Sequence, residues 1–169
     1  GISLITGGHH HDDDDGAEDH EAGPTDAAGT DPHIWLSPKN ARVMVENTCR
    51  GLMDADPAHA AQFRANADAY QEKIDRLDAE IGQENVKKKV RTIMVNHPAW
   101  SYFARDYGLL QIPIESDGKD PSPAQLELLI RQAKEEKITT IFASPESSTK
   151  SASVIAREIG GSVVLVSGL

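Results

Sequence analysis

The chain has 169 residues, a length that suits a single domain with a buried core. Its formal net charge of -10 argues against nucleic acid and anionic membrane surfaces as partners. The only cysteine, Cys49, excludes a disulfide within the chain and a thiolate metal cluster. It lies in a helical pattern, so we expect a buried and unreactive thiol.

The acidic residues are concentrated at the start of the chain. Residues 1–38 contain no Lys or Arg but carry nine acids: Asp12, Asp13, Asp14, Asp15, Glu18, Asp19, Glu21, Asp26 and Asp31. Residues 8–30 cannot bury enough apolar area to offset the entropy of ordering, so we predict a disordered loop within segment 1–30. Histidine-rich tracts bind metals loosely, so this loop is either a weak accessory metal-binding loop or a solvating tract. Its histidines are His9, His10, His11 and His20.

Two helices follow. Ser37-Pro38 is typical of an N-cap and a first helical residue, and it predicts a helix to about residue 53 within segment 31–56. Asp56-Pro57 repeats the signal and predicts a longer helix over 57–86, with His59 solvated. Its apolar residues recur at steps of three and four: Ala60, Phe63, Ala67, Tyr70, Ile74, Leu77 and Ile81. At 1.5 Å per residue it would be about 40 Å long, a strut that spans a larger body.

Segment 87–169 alternates strand and helix patterns. RTIMVN, LLQIPI, TTIFAS and SVVLV are short apolar runs typical of buried strands. Helices are predicted over about 98–107, 123–137 and 148–159; Gly108 and Gly160-Gly161 end the first and the last of them. We therefore predict an α/β fold, a parallel four-stranded sheet with right-handed crossovers and helices on both faces.

Ligands of such sheets bind beyond the carboxyl ends of the strands. The residues at those positions are Asn96-His97, Glu115, Ser144, Glu146 and Ser167. His33 lies where the predicted loop meets the first helix, and His33 and His97 are each either a metal ligand or a hydrogen-bonded structural residue. Neutral imidazole suits zinc and similar metals, with an Asp or a carbonyl orienting the second ring nitrogen. We assign Asp31 to a turn or cap, and we expect Trp35 and Trp100 to pack around the two histidine loops.

Taken together, these segments resemble the metal-specific solute-binding proteins of ABC importers, the zinc and manganese class with two lobes joined by a rigid helix. The resemblance is carried by the acidic His-rich loop and by DPHIWLSPKNA, FRANADAYQEKIDRLDAEI, NHPAWSYFARDYGL, KDPSPAQLELLI, IFASPESSTKSASVIAREIG and VVLVSGL. It implies that 1–30 ends an N-terminal lobe, 57–86 is the interlobe helix and 87–169 is an incomplete C-terminal lobe. The opening GISLITGG and the final VVLVSGL look cut from something longer, so we expect a fragment.

The resemblance also implies the metal ligands. By motif, His33 and His97 match two family ligands, and a further histidine would come from the missing lobe. The family carboxylate lies in a D-P-L motif, where this chain reads Ser167-Gly168-Leu169. Glu146 is a candidate replacement, although the family often has a glutamate two positions earlier, at Ser144.

The function that the resemblance implies is periplasmic or extracytoplasmic capture of Zn²⁺, with Mn²⁺ as the alternative, for a membrane ABC permease. The residues leave two other functions open: a metal-dependent hydrolase on an α/β scaffold, and an interaction module with structural histidines. No general base can be placed beside a metal-bound water, which favours capture over hydrolysis. The apolar seam of the long helix also suggests a homodimer of the fragment.

Overall fold

The computed structural model describes residues 1–6, 29–116 and 118–168. The predicted loop, with His9, His10, His11 and His20, lies outside the described residues. Thr6 forms an antiparallel bridge with Thr30, and the backbone N–H of Asp31 donates to the carbonyl of Ile5 at 2.9 Å. In the described part of the chain, no helix is both long enough and apolar enough to cross a membrane.

Helices α1 (Pro38–Ala55) and α2 (Ala60–Val86) form an antiparallel-type pair joined by a 3-10 turn at Pro57–His59. The predicted cap is confirmed, since Ser37 Oγ accepts a hydrogen bond from the backbone N–H of Asn40 at 3.3 Å. The α-helix begins three residues later than predicted because the Asp56 carboxylate does not cap it. This carboxylate instead contacts the Nδ1 atom of exposed His59 at 2.7 Å, so His59 lies in the turn and not on α2.

The apolar seam of α2 is only partly covered. Ala67, Gln71 and Ile74 are buried, whereas Tyr70 is 55% exposed and Leu77 is 49% exposed. Gln71 is a polar residue outside the predicted seam. Its Nε2 atom donates a hydrogen bond to the carbonyl of Arg42 on α1 at 3.4 Å. Cys49 is buried as expected, but it is not isolated, because Arg64 Nη2 lies 3.1 Å from its sulfur.

The predicted parallel sheet is confirmed, in the order β2-β1-β3-β4. Its strands are β1 (Thr92–Val95), β2 (Leu110–Pro113), β3 (Thr140–Ala143) and β4 (Ser162–Leu165). Helices α3 (Ser101–Tyr107), α4 (Pro123–Glu135) and α5 (Lys150–Glu158) connect them. Because β2 and β3 flank β1, the direction of strand succession reverses between β1 and β3.

Two helix starts differ from the sequence prediction. Pro98 does not begin α3; the backbone N–H of Ala99 donates to the carbonyl of His97 at 2.8 Å, and this tight turn delays the helix to Ser101. Helix α5 begins at Lys150 instead of residue 148. The predicted ends at Gly108 and Gly160 are confirmed, since both have left-handed φ angles of 63° and 65°.

Helices lie on both faces of the sheet. Met94, Ile112 and Ile141 pack with buried residues of α4 and α5 to form the main core. The opposite face meets α3, where the lining side chains are Ile93, Val95, Trp100, Phe103, Phe142 and Val166. The carboxyl ends of β1 and β3 therefore meet at the reversal point, which is where ligands bind in sheets of this type.

Candidate metal centre

His33 is held by its own turn. Asp31 Oδ1 accepts the backbone N–H of His33 at 2.9 Å and lies 2.7 Å from the Nδ1 atom of its ring. Asp31 is thus the turn residue that the sequence predicted, and it also orients the imidazole. The hydroxyl of fully buried Tyr102 donates to the carbonyl of Asp31 at 2.8 Å, which anchors this turn to α3.

His97 is held by residues from two neighbouring strands. It follows β1, and its Nδ1 atom is hydrogen-bonded to the carboxylate of Glu115, which follows β2. Asn96 Nδ2 donates to the same carboxylate at 3.3 Å. The sequence placed Glu115 at this edge of the sheet but gave it no role, because only the pairing of β1 with β2 brings it to His97.

The two imidazole rings meet edge to face, with Nε2 of His33 only 3.3 Å from Nε2 of His97. Each Nδ1 has a carboxylate partner, so the hydrogen-bond pattern assigns a proton to both Nδ1 atoms. Both Nε2 lone pairs then point into the same space. Zinc binds imidazole nitrogen at about 2.0–2.1 Å with tetrahedral angles, which separates two ligand nitrogens by about 3.3–3.4 Å. The observed separation fits a shared zinc ion.

The pair opens into a cleft at the carboxyl edge of the sheet. The side chain of His33 is 20% exposed and that of His97 is 43% exposed. The cleft has a volume of about 280 Å³ and is also lined by Trp35, Leu36, Ala99, Trp100, Phe142, Ala143, Ser144, Glu146, Ser147, Val166 and Gly168. Both tryptophans line the cleft beside the histidines, as expected. The ring centroid of Trp35 lies 5.5 Å from that of His33, and Trp35 Nε1 donates to the carbonyl of Gly168 at 2.8 Å.

Glu146 lines this cleft but is bonded to serines. Its carboxylate accepts hydrogen bonds from Ser144 Oγ and, at 3.3 Å, from Ser167 Oγ. The bond from Ser144, the backbone amide and the bond from Ser167 hold the pKa of Glu146 below its usual range. Within residues 1–6, 29–116 and 118–168, no three His, Cys, Asp or Glu side chains are grouped closely enough to hold a metal. The structure thus brings His33 and His97 together and leaves Glu146 beside them in the cleft.

The family model described as "Zinc-uptake complex component A periplasmic" (ZnuA) matches residues 1–169. The chain belongs to the ZnuA family. This membership confirms the resemblance to metal-specific solute-binding proteins, and the similar proteins are named for metal binding and metal uptake, which favours metal capture over the hydrolase alternative.

Similar proteins in the ZnuA family carry different metal names. The chain is 35% identical over 147 residues to the iron-binding protein YfeA of Yersinia pestis, covering 82% of this chain and 47% of that protein. It is 35% identical over 173 residues to the zinc-binding protein AdcA of Streptococcus pyogenes, covering 98% of this chain and 34% of that protein. It therefore spans a third to about half of these curated relatives.

A solved structure supports the same fold. The crystal structure of a ZnuA protein superposes with a TM-score of 0.79 and 43% sequence identity, covering 82% of this chain and 55% of that one. Both sequence and fold thus place this chain in the ZnuA family.

Proposed function

We propose that this chain supplies His33 and His97 as ligands for a divalent transition metal, which the complete protein captures outside the cytoplasm for an ABC permease. The observation that carries the proposal is the separation of 3.3 Å between the two Nε2 atoms, each opposite a carboxylate-bound Nδ1. Two facing lone pairs repel each other unless a cation or a proton lies between them. Histidines with a purely structural role in an interaction module would have no need for this unfavourable arrangement.

The metal that this donor set favours is zinc. Imidazole nitrogen suits zinc, whereas manganese prefers carboxylate, carbonyl and water oxygens. Relatives named for zinc and for iron both exist, so the preference is inferred from the donor atoms of this chain. Competition titration should show tighter binding of zinc than of manganese, and the reverse order would contradict the proposal.

Glu146 is proposed as a further ligand that leaves Ser144 and Ser167 when metal enters the cleft. Its lowered pKa keeps the carboxylate charged at neutral pH, and it lines the same cleft as His33 and His97. A tetrahedral ion bound by two imidazoles has two positions left for Glu146, for water or for a residue from the rest of the protein.

Calorimetric titration with zinc tests these assignments. His33→Ala and His97→Ala should each weaken binding by at least tenfold, and Glu146→Ala should weaken it less, because water can replace one carboxylate. His59→Ala is the matched control, since His59 also pairs with an aspartate through Nδ1 but faces no second histidine among the described residues. Binding that survives both His33→Ala and His97→Ala would show that the metal lies elsewhere.

A further inference from the structure

We propose that Glu115 is a positioning residue that makes His97 a metal donor, an inference that rests on the metal capture proposed above. Glu115 and His97 are 18 residues apart, yet the parallel pairing of β1 with β2 places both at the same edge of the sheet. The backbone ladder continues past the strands, because the N–H of Ile114 donates to Val95 at 2.8 Å and that of Glu115 to Asn96 at 3.1 Å.

The carboxylate of Glu115 is held from two sides. Its side chain is 16% exposed, much less than that of His97, so it backs the ring while the other edge of the ring faces the cleft. Asn96, which is 2% exposed, donates its Nδ2 to this carboxylate, although its buried Oδ1 has no partner among the described residues. Asn96 Nδ2 therefore holds the Glu115 carboxylate in place, while Oδ1 of the same side chain stays unpaired among the described residues.

This arrangement selects one tautomer of His97. A carboxylate accepts hydrogen bonds but does not donate them, so in the neutral ring the Nδ1 atom carries the proton and Nε2 carries the lone pair. An imidazole without this partner is free to carry its proton on Nε2, where it blocks metal binding. His33 has its own acceptor, Asp31, within the same turn, so the loss of Glu115 should affect His97 alone.

Nitrogen-15 NMR of the histidine rings, recorded without metal and above the pH where imidazoles protonate, tests the inference directly. His97 of the unsubstituted chain should carry its proton on Nδ1. Glu115→Met removes the acceptor at similar side-chain length and should move a large fraction of this proton to Nε2, whereas Glu115→Gln retains a carbonyl acceptor and should preserve the tautomer. His33 and His59 serve as internal controls in each spectrum. An unchanged His97 tautomer in Glu115→Met would overturn the proposal.

Zinc titration of the same variants gives the second readout. Loss of the group that orients a ligand histidine costs about 10–100-fold in metal affinity, and Glu115→Met should show a loss of this size. Glu115→Gln should lose less, and it keeps the test valid if Glu115→Met folds poorly. A changed tautomer with unchanged affinity would also overturn the proposal. Absence of zinc binding by the unsubstituted chain would instead contradict the proposed function, while the tautomer comparison would still report the action of Glu115 on His97.

Discussion

Two carboxylates contact the rings of the histidine pair: Asp31 contacts Nδ1 of His33, and Glu115 contacts Nδ1 of His97. Asp31 is two residues from His33, so a local turn is sufficient for their contact. Glu115 reaches His97 only through the register of two strands. Sequence motifs therefore predicted both histidines and the turn at Asp31, whereas the role of Glu115 required knowledge of which strands are neighbours.

A third carboxylate, Asp106, joins α3 to the start of α1. It accepts hydrogen bonds from Ser37 Oγ and, at 2.8 Å, from Arg105 Nε. Burial raises the pKa of Asp106, but the hydrogen bonds from Arg105 and Ser37 and the positive charges of Arg105 and Lys39 outweigh burial and lower the pKa overall. A carboxyl with a lower pKa in the folded state stabilises the fold above its unfolded pKa, and this contribution is lost as the pH falls through its folded pKa.

Asp106→Asn should therefore lower the free energy of unfolding by about 1–2 kcal/mol at pH 7, because it weakens charged hydrogen bonds in a partly buried site. The difference from the unsubstituted chain should shrink as the pH falls below 4. Urea unfolding at a series of pH values measures both effects. Asp75→Asn is the control, because the exposed pair of Asp75 with Arg42 should contribute less than about 1 kcal/mol. Equal losses in the two variants would contradict this account of Asp106.

The helices and strands follow local signals where local bonding decides them. Ser122 and Gln125 form the capping box that starts α4, and Gly108 ends α3 in the left-handed conformation. The predicted starts of α2 and α3 were each three residues too early. The Asp56 carboxylate bonds to the ring of His59, and the carbonyl of His97 accepts a hydrogen bond from Ala99 in a tight turn. A proline in the sequence does not show which of these competing hydrogen bonds forms.

Gly161 illustrates a constraint between elements. A Cβ atom at this position would lie 2.4 Å from the backbone oxygen of Thr139, and the next residue, Ser162, donates its N–H to that same oxygen at 2.9 Å. A side chain would therefore push β4 away from β3. Gly161→Ala should lower the free energy of unfolding by about 1–3 kcal/mol, measured by chemical denaturation at pH 7.

Gly51→Ala is the matched control for this substitution. Gly51 lies within α1, and a Cβ atom there would meet no heavy atom within 4 Å. The change should raise the free energy of unfolding by about 0.5–1 kcal/mol, because alanine loses less entropy than glycine in a helix. A Gly161→Ala variant as stable as the unsubstituted chain would show that the two strands can separate without cost.

The molecule as a whole assembles its site from distant parts of the chain. The turn at His33 precedes α1, the loop at His97 follows β1, and Gly168 closes the cleft through Trp35. The bridge between Thr6 and Thr30 brings together the two ends of the acidic segment, beside the turn that holds His33. The rings of the histidine pair are oriented by Asp31 and Glu115, and Tyr102 anchors the turn at Asp31.

Deleting residues 9–20 should therefore leave the stoichiometry and affinity of the tight zinc site unchanged and remove only weak additional binding. Calorimetry at low and at high zinc concentration separates the two classes of site. A variant that keeps residues 9–20 but has His9, His10, His11 and His20 changed to Gln controls for the length of the segment. Loss of tight binding on deletion would show that the tract contributes a ligand to the main site.

Periodicity and capping residues were sufficient to predict helices α1 and α2 and the α/β alternation, because these depend on interactions between residues close in sequence. The parallel sheet followed from that alternation, since a helix between two strands of one sheet makes them parallel. The His33 and His97 assignments came from motifs at the ends of such elements. The strand order β2-β1-β3-β4, the burial of Gln71 and the exposure of Tyr70 depend on which surfaces pack together. The meeting of two Nε2 atoms at 3.3 Å, with Glu115 behind one ring, has the same origin. Hydrophobic patterning specifies that a face is buried, but the partner of that face is chosen by the packing of the complete fold.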